Sequence, residues 1–453
     1  MKKYEINRLT REEIFSGQLI APMRQFLKAH GVSDTRTYNY NEDIAIITHY
    51  LQNKNTPEEG HYKAQAIPLL ERYYRATHTG LDLETPININ DAEALFEAAN
   101  NTSVHNRFKN NKDFTFIDLF AGIGGFRIAL EQLGGRCVYA SEFDVSAQKS
   151  YGLNHGVIPF GDIKIQANKD LIPDHIDVLC AGFPCQPFSL AGLRKGFSDQ
   201  TKGTLFYDLQ AIIDAKRPQI IILENVPGLL SIHNKDGEGN NLPEKTIDTI
   251  LDVLRNKLHY YVPYPQVLNA RNFGVPQNRD RVFIVGFLNR NEEDYLYPTG
   301  ESVPDKHFGD IREKGIVGTQ YYMSQRYWKT LVNHKSAQRE KGRGYGYRTI
   351  SDDDFGHTLM VGGMGLERNL VVDTANTEVK NANDPRGELN NDYIRILTER
   401  ECARMQGFPD YFDIVVGRSP AYKQFGNSVA IPVVKEVARS LLEYGHIDFN
   451  PVE

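Results

Sequence analysis

Cysteine is scarce in this 453-residue chain: Cys137, Cys180, Cys185 and Cys402 are the only four, with no CxxC pair among them. That spacing excludes a disulfide framework and offers no metal site. Long apolar runs are missing as well, none approaching the roughly 18 residues of a membrane span. The opening Met1-Lys2-Lys3 is followed by Tyr4-Glu5-Ile6-Asn7-Arg8, which supplies no apolar core for a signal peptide. There is no excess of positive charge: 52 Lys and Arg face 58 Asp and Glu, a net charge of −6. A wholly basic nucleic-acid protein is thereby excluded, although local patches are not. What is present, 40% hydrophobic and 24% charged residues, suits a soluble protein of two or three domains. A cytoplasmic location is expected.

Residues 1–113 hold 14 Lys and Arg against 15 Asp and Glu, and are nearly neutral. Apolar residues recur every three or four positions over 43–51 and 64–74, and Asn90-Asp91 can start a helix reaching 99. A helical extension is expected, and structural bracing is its first-ranked role because it has no electrostatic footprint. From 114 the texture changes to short Ile/Val/Leu runs alternating with helical patterns. Strands are expected at 115–120, 137–140, 176–181, 219–223, 264–268 and 281–287. Helices fall at 126–133, 145–154, 204–216 and 246–257. This alternation predicts an α/β domain with a mostly parallel sheet and helices on both faces. Beyond 287 the alternation stops, and residues 288–392 promise short strands at best. Within them, 323–348 carries seven Lys and Arg, one Glu and four aromatics, a mixture that suits either a nucleic-acid surface or a solvated loop. Helical patterning resumes from 394 and ends with a helix over 432–444.

Four stretches carry chemistry. Asp118-Leu119-Phe120-Ala121-Gly122-Ile123-Gly124-Gly125-Phe126 is a glycine turn between strand and helix, where a ligand can approach the backbone. It breaks the dinucleotide fingerprint, since Arg127 replaces the last glycine. Glu142 follows the second strand, where an acid can hold ribose hydroxyls, and Asp162 can serve beside an adenine. Singly each suits a turn or cap equally well; together they favour S-adenosylmethionine over NAD. Gly182-Phe183-Pro184-Cys185-Gln186-Pro187-Phe188-Ser189 sets a thiol between two prolines beyond a strand end, whereas Cys137 and Cys180 read as buried hydrophobes. Leu223-Glu224-Asn225-Val226 puts a carboxylate at the same sheet edge, and Gln277-Asn278-Arg279-Asp280-Arg281 offers two alternate arginines or a structural ion pair.

The ordered set DLFAGIGGF, GFPCQPFS, ENV, QNRDR and QFGNSVAIP resembles the DNA (cytosine-5) methyltransferases of bacterial restriction-modification systems. The resemblance spans about 114–287 and 394–440. It implies the S-adenosylmethionine-dependent, Rossmann-like methyltransferase fold, with a catalytic domain from 114–287 and 393–453 and a target-recognition domain at 288–392. It assigns Cys185 as nucleophile, Glu224 and Arg281 to the target cytosine, and Arg279 to supporting the active-site loop. S-adenosylmethionine, leaving as S-adenosylhomocysteine, falls to Phe120, Gly122, Gly124, Glu142, Phe143, Asp162, Ile163, Pro184, Leu205, Asn427 and Ser428, with no metal. Phe143 stands where many relatives have Trp. DNA contacts fall to Ser189, Arg194 and Lys195 in the loop 186–203, and to Arg326, Lys329, Arg343, Thr358, Glu367, Arg368 and Asn369. The implied partner is double-stranded DNA, bound by a monomer with no membrane and no bound endonuclease. A cognate restriction enzyme is implied by function alone. The stretch Gly362-Gly363-Met364-Gly365-Leu366-Glu367-Arg368-Asn369 resembles enzymes acting on CCGG-containing sites. The alternatives are a tRNA cytosine-5 methyltransferase and an inactive DNA-binding regulator.

Overall fold

A computed structural model of the chain describes residues 20–30, 39–78, 81, 83–96, 107–108, 110–184, 205–235, 240–288, 290, 295–343, 346–360, 366–374, 387–449 and 451. The chain opens with helices α1 (Ala21–Ala29), α2 (Tyr40–Gln52), α3 (Glu59–Thr77) and α4 (Ile89–Ala94). The Asn39 side chain caps α2 by accepting from Glu42 N. Helix α2 buries most of its circumference because it lies between α3 and the sheet.

The sheet begins with β1 (Phe114–Leu119), the short helix α5 (Gly125–Glu131), β2 (Gly135–Ser141) and α6 (Val145–His155). It continues through β3 (Val178–Gly182), α7 (Leu205–Lys216), β4 (Ile220–Asn225) and α8 (Thr246–Asp252). Strands β5 (Tyr260–Tyr261), β6 (Gln266–Asn269) and β7 (Asp280–Leu288) finish it. The order is β2-β1-β3-β4-β7-β5, with β6 also on the outer edge of β7. β1, β2, β3 and β4 run parallel; β7 is antiparallel to β4. The expected strand at 264–268 starts late, at Gln266, because Pro263 and Pro265 lack the N–H that pairing needs. The pair Tyr260–Tyr261 is too short to show a period.

Successive residues of β4 face opposite ways: Ile220 and Ile222 join one core, Ile221 and Leu223 the other. The first core is covered by α5 and by α12 (Ile431–Gly445), the second by α2, α3, α7 and α8. Between β1 and β3 the chain has already crossed to β2 on the far side. That is the switch point, where such sheets open a crevice at the carboxyl ends of their strands.

Residues 323–348, where short strands at best were expected, are filled mostly by α9 (Gln325–Glu340). Only Trp328 and Leu331 of this helix are buried, so its surface is polar almost all round and shows little apolar period. Trp328 packs on Tyr347, with its indole N–H donating to Asp392 Oδ2 at 2.6 Å, so this aromatic is core and not surface. A small sheet, β8 (Thr349–Ile350), β9 (Leu370–Val372) and β10 (Ile394–Ile396), adjoins it. Two further helices, α10 (Glu399–Met405) and α11 (Arg418–Asn427), lead to α12.

Candidate active site

The glycine turn after β1 divides its labour. A Cβ on Gly124, whose φ is +87°, would stand 2.1 Å from His155 Nε2, and one on Gly125 would stand 2.7 Å from Ser428 Oγ. Gly124 is therefore buried against α6 and does not line the crevice expected to take a cofactor. Gly122, at φ +57°, is open: nothing lies within 4 Å of where its Cβ would be. Glu142, one residue beyond β2, accepts from Gly122 N at 2.7 Å and from Asp144 N at 2.6 Å. Burial raises its pKa, and those two N–H groups oppose the rise. Asp162 accepts from Lys164 N at 3.0 Å and pairs with Lys164 Nζ at 3.2 Å.

These carboxylates share a cleft of about 940 Å³ with Phe120, Gly122, Phe143, Ile163, Pro184, Leu205, Asn427 and Ser428. The ring of Phe143 is 75% exposed, leaving a face free to stack. Glu224, Arg279 and Arg281 line the other end of the same cleft. Arg281 Nε stands 2.9 Å from Glu224 Oε1. Burial pushes the Glu224 carboxyl upward, and Arg281 and Arg279 counter it. Among the described residues Arg279 pairs with no acid: its guanidinium donates to Ser428 O at 2.6 Å and Gly426 O at 3.3 Å, tying QFGNSV to the sheet. Asn225 Nδ2 donates to Phe183 O at 2.8 Å and fixes the start of the thiol loop. Cys185, Ser189, Arg194 and Lys195 lie outside the described residues. The thiols of Cys137, Cys180 and Cys402 are buried, and burial pushes all three upward, Cys137 to about 12.

One set of contacts in the cleft wall has little sequence signature. Lys423 Nζ pairs with Asp144 Oδ2 at 2.7 Å, Gln424 Nε2 donates to Ser146 O at 2.9 Å, and Ser150 Oγ donates to Gln424 Oε1 at 2.9 Å. Gln424 belongs to a motif; Asp144 reads only as the cap of α6.

The expected recognition residues sit apart from the cleft. Gly356–His357 pairs with Gln277–Asn278, and Thr358 Oγ1 donates to Asn278 O at 2.7 Å. Asn369 differs from expectation: it is 1% exposed, accepting from His357 N at 2.7 Å and donating to His357 O at 3.1 Å. Its amide is engaged in holding His357 and is not presented to a base edge. Glu367 accepts from the Tyr327 hydroxyl at 2.7 Å, while Arg326, Lys329, Arg343 and Arg368 are exposed. Arg348, one of the seven basic residues of 323–348, donates to His357 Nε2 at 3.0 Å.

A carboxylate after β2, a second two residues past the Phe160 bridge to it, an open glycine and an exposed ring suit the ribose hydroxyls, amino groups and adenine of S-adenosylmethionine. A crevice of this build at the switch point of such a sheet belongs to the S-adenosylmethionine-dependent methyltransferases.

A model of the family described as C-5 cytosine-specific DNA methylase matches residues 114–443. The Type II methyltransferase M.HpaII of Haemophilus parainfluenzae is 48% identical over 353 residues, 77% of this chain and 93% of the relative. M.DsaV of Dactylococcopsis salina is 39% identical over 335 residues, 74% and 87% of the two chains. Among solved structures, the S. pombe Dnmt2 methyltransferase shares the fold with a TM-score of 0.53 at 21% identity, over 73% of this chain and 99% of that one. The chain belongs to the C-5 cytosine-specific DNA methylases and is a DNA cytosine-5 methyltransferase of the Type II kind.

Proposed function

We propose that this enzyme methylates carbon 5 of a cytosine flipped out of duplex DNA, within a short palindromic site containing CCGG. The observation that carries the chemistry is the Glu224–Arg281 pair at one end of the cleft whose other end holds Glu142 and Asp162. A stacked base cannot reach that pair, so the target must leave the helix. Cys185, three residues past the end of β3, adds its sulfur to carbon 6. The buried, inert thiols of Cys137, Cys180 and Cys402 support this choice. Glu224, with its raised pKa, supplies a proton at ring nitrogen 3, and Arg281 holds the carbonyl oxygen. S-adenosylmethionine supplies an electrophilic methyl group on a sulfonium sulfur. Glu142 and Asp162 hold its hydroxyl and amino groups, with Phe120, Phe143, Ile163, Pro184, Leu205, Asn427 and Ser428 around it. Once carbon 5 is methylated, a base takes its proton, Cys185 leaves carbon 6 as the thiolate, and the proton on ring nitrogen 3 returns to Glu224.

The DNA backbone would be held by Ser189, Arg194 and Lys195, and bases read from residues 288–392 by a monomer in the cytoplasm. Arg368 suits a guanine edge, and Arg326, Lys329 and Arg343 suit phosphates. The CCGG assignment rests on the resemblance of 362–369, and protection would serve a cognate endonuclease. Sequencing methylated bases in plasmid from an expressing host tests reaction, substrate and site together. 5-Methylcytosine within CCGG is expected, and it should vanish with Cys185→Ala while DNA binding persists. Unmodified CCGG would end the site assignment; methyl transfer to tRNA but not plasmid would end the DNA reading.

A further inference from the structure

Residues 1–113 precede the family match, yet their helices seal the edge of the sheet that carries the cofactor. An edge strand leaves N–H and C=O groups that need partners. Here the partners come from α2 and α3. Ala140 N donates to His49 Nε2 at 3.2 Å, while His49 Nδ1 donates to Ala45 O at 2.8 Å. The Tyr62 hydroxyl donates to Val138 O at 2.7 Å, and Gln52 Nε2 donates to Cys137 O. Thr48 Oγ1 accepts from Ile158 N at 3.1 Å. The His49 ring stacks on Phe160 at 4.3 Å, and the Tyr62 ring lies 6.5 Å from it.

Those contacts fall directly behind both cofactor carboxylates. Glu142 is two residues beyond Ala140, and Asp162 two beyond Phe160. The two chain ends are themselves joined, with Phe160 N donating to Ala140 O at 2.9 Å and Glu142 N donating to Phe160 O at 2.9 Å. A shift of β2 or of Phe160 therefore moves one carboxylate relative to the other. We propose that Thr48, His49 and Tyr62 are positioning residues for S-adenosylmethionine, the N-terminal helices setting the spacing of Glu142 and Asp162 across it. The inference rests on the reading of those two carboxylates as cofactor contacts.

The test uses the full chain, calorimetry with S-adenosylhomocysteine, and steady-state kinetics. Tyr62→Phe removes one oxygen and keeps the ring; His49→Phe keeps the stack and removes the acceptor. Each should raise the S-adenosylhomocysteine Kd and the KM for S-adenosylmethionine about fivefold or more, since Ala140 N loses its acceptor in one variant and Val138 O is left with the longer bond from Asn53 Nδ2, at 3.4 Å, in the other. The KM for DNA and kcat at saturating cofactor should stay within about twofold. Glu142→Ala checks the underlying reading: wild-type affinity there overturns that reading. Impaired binding in Glu142→Ala beside unimpaired binding in the other two overturns the inference alone. A merely structural role would lower Tm and leave the KM for cofactor unchanged. Should His49→Phe fail to fold, Tyr62→Phe decides.

Discussion

His49 serves β2 through one ring nitrogen and its own helix through the other, which requires a neutral imidazole. Burial lowers its pKa from 6.5 to about 3. The unfolded chain takes a proton that the folded one refuses, so stability falls as pH drops below 6.5 and the loss levels off near 3. The slope should reach about 1.4 kcal/mol per pH unit. His49→Phe cannot titrate, so urea midpoints of wild type and variant should converge between pH 6 and pH 4; parallel lines would refute the assignment. Glu224 has the opposite sign: burial favours its protonated form, so its contribution to stability declines as pH rises from 4.5 through the raised value. Glu224→Gln should lower kcat about 100-fold or more, with S-adenosylhomocysteine and DNA binding retained. A variant within tenfold of wild type would remove Glu224 from the chemistry. Glu224 could be picked out from its place after a strand. His49 could not, because a lone histidine on an apolar helix face looks like any core residue.

Helices and strands were legible in proportion to their periodicity. β1 to β4 and α12 announce themselves, since burial on both faces or along one stripe demands unbroken or evenly spaced apolar residues. Helix α9 does not, because Trp328 and Leu331 are its only buried residues. The glycine turn was legible as a turn, but the division between Gly122 and Gly124 was not, since it depends on where His155 arrives from α6. Gly124→Ala should cost about 2 kcal/mol or more through both the positive φ and the His155 clash. Gly60→Ala, on α3 with open space around it, is the matching control. It should stabilise the protein by about 0.5–1 kcal/mol. Thermal unfolding of the pair checks both, and a Gly124→Ala protein as stable as wild type would contradict the packing described.

The molecule as a whole is acidic, yet it acts on a polyanion. Exposed Arg326, Lys329 and Arg343 lie on or just beyond one helix, so the net charge of −6 averages over unlike parts. DNA affinity should fall about tenfold or more between 50 and 200 mM salt, as expected for several phosphate contacts. Binding isotherms across that range check it; a flat response would remove the basic segment from the interface. The N-terminal helices are the part least legible at this scale. Their balanced charge pointed to bracing, and the structure shows them meeting the free edge of β2.

Fold class and family are legible in the chain alone, because both are written in short-range features. A strand's period, a glycine turn, and a thiol between two prolines need no distant partner to be recognised. Tertiary structure alone decided which groups meet. Arg279 reaches Ser428 across 149 positions, Tyr62 reaches Val138 across 76, and the amide of Asn369 is engaged by a backbone 12 residues away. Such side-chain to backbone bonds leave no periodic trace, since either partner is ordinary where it stands. Only the folded path of the chain brings the two together.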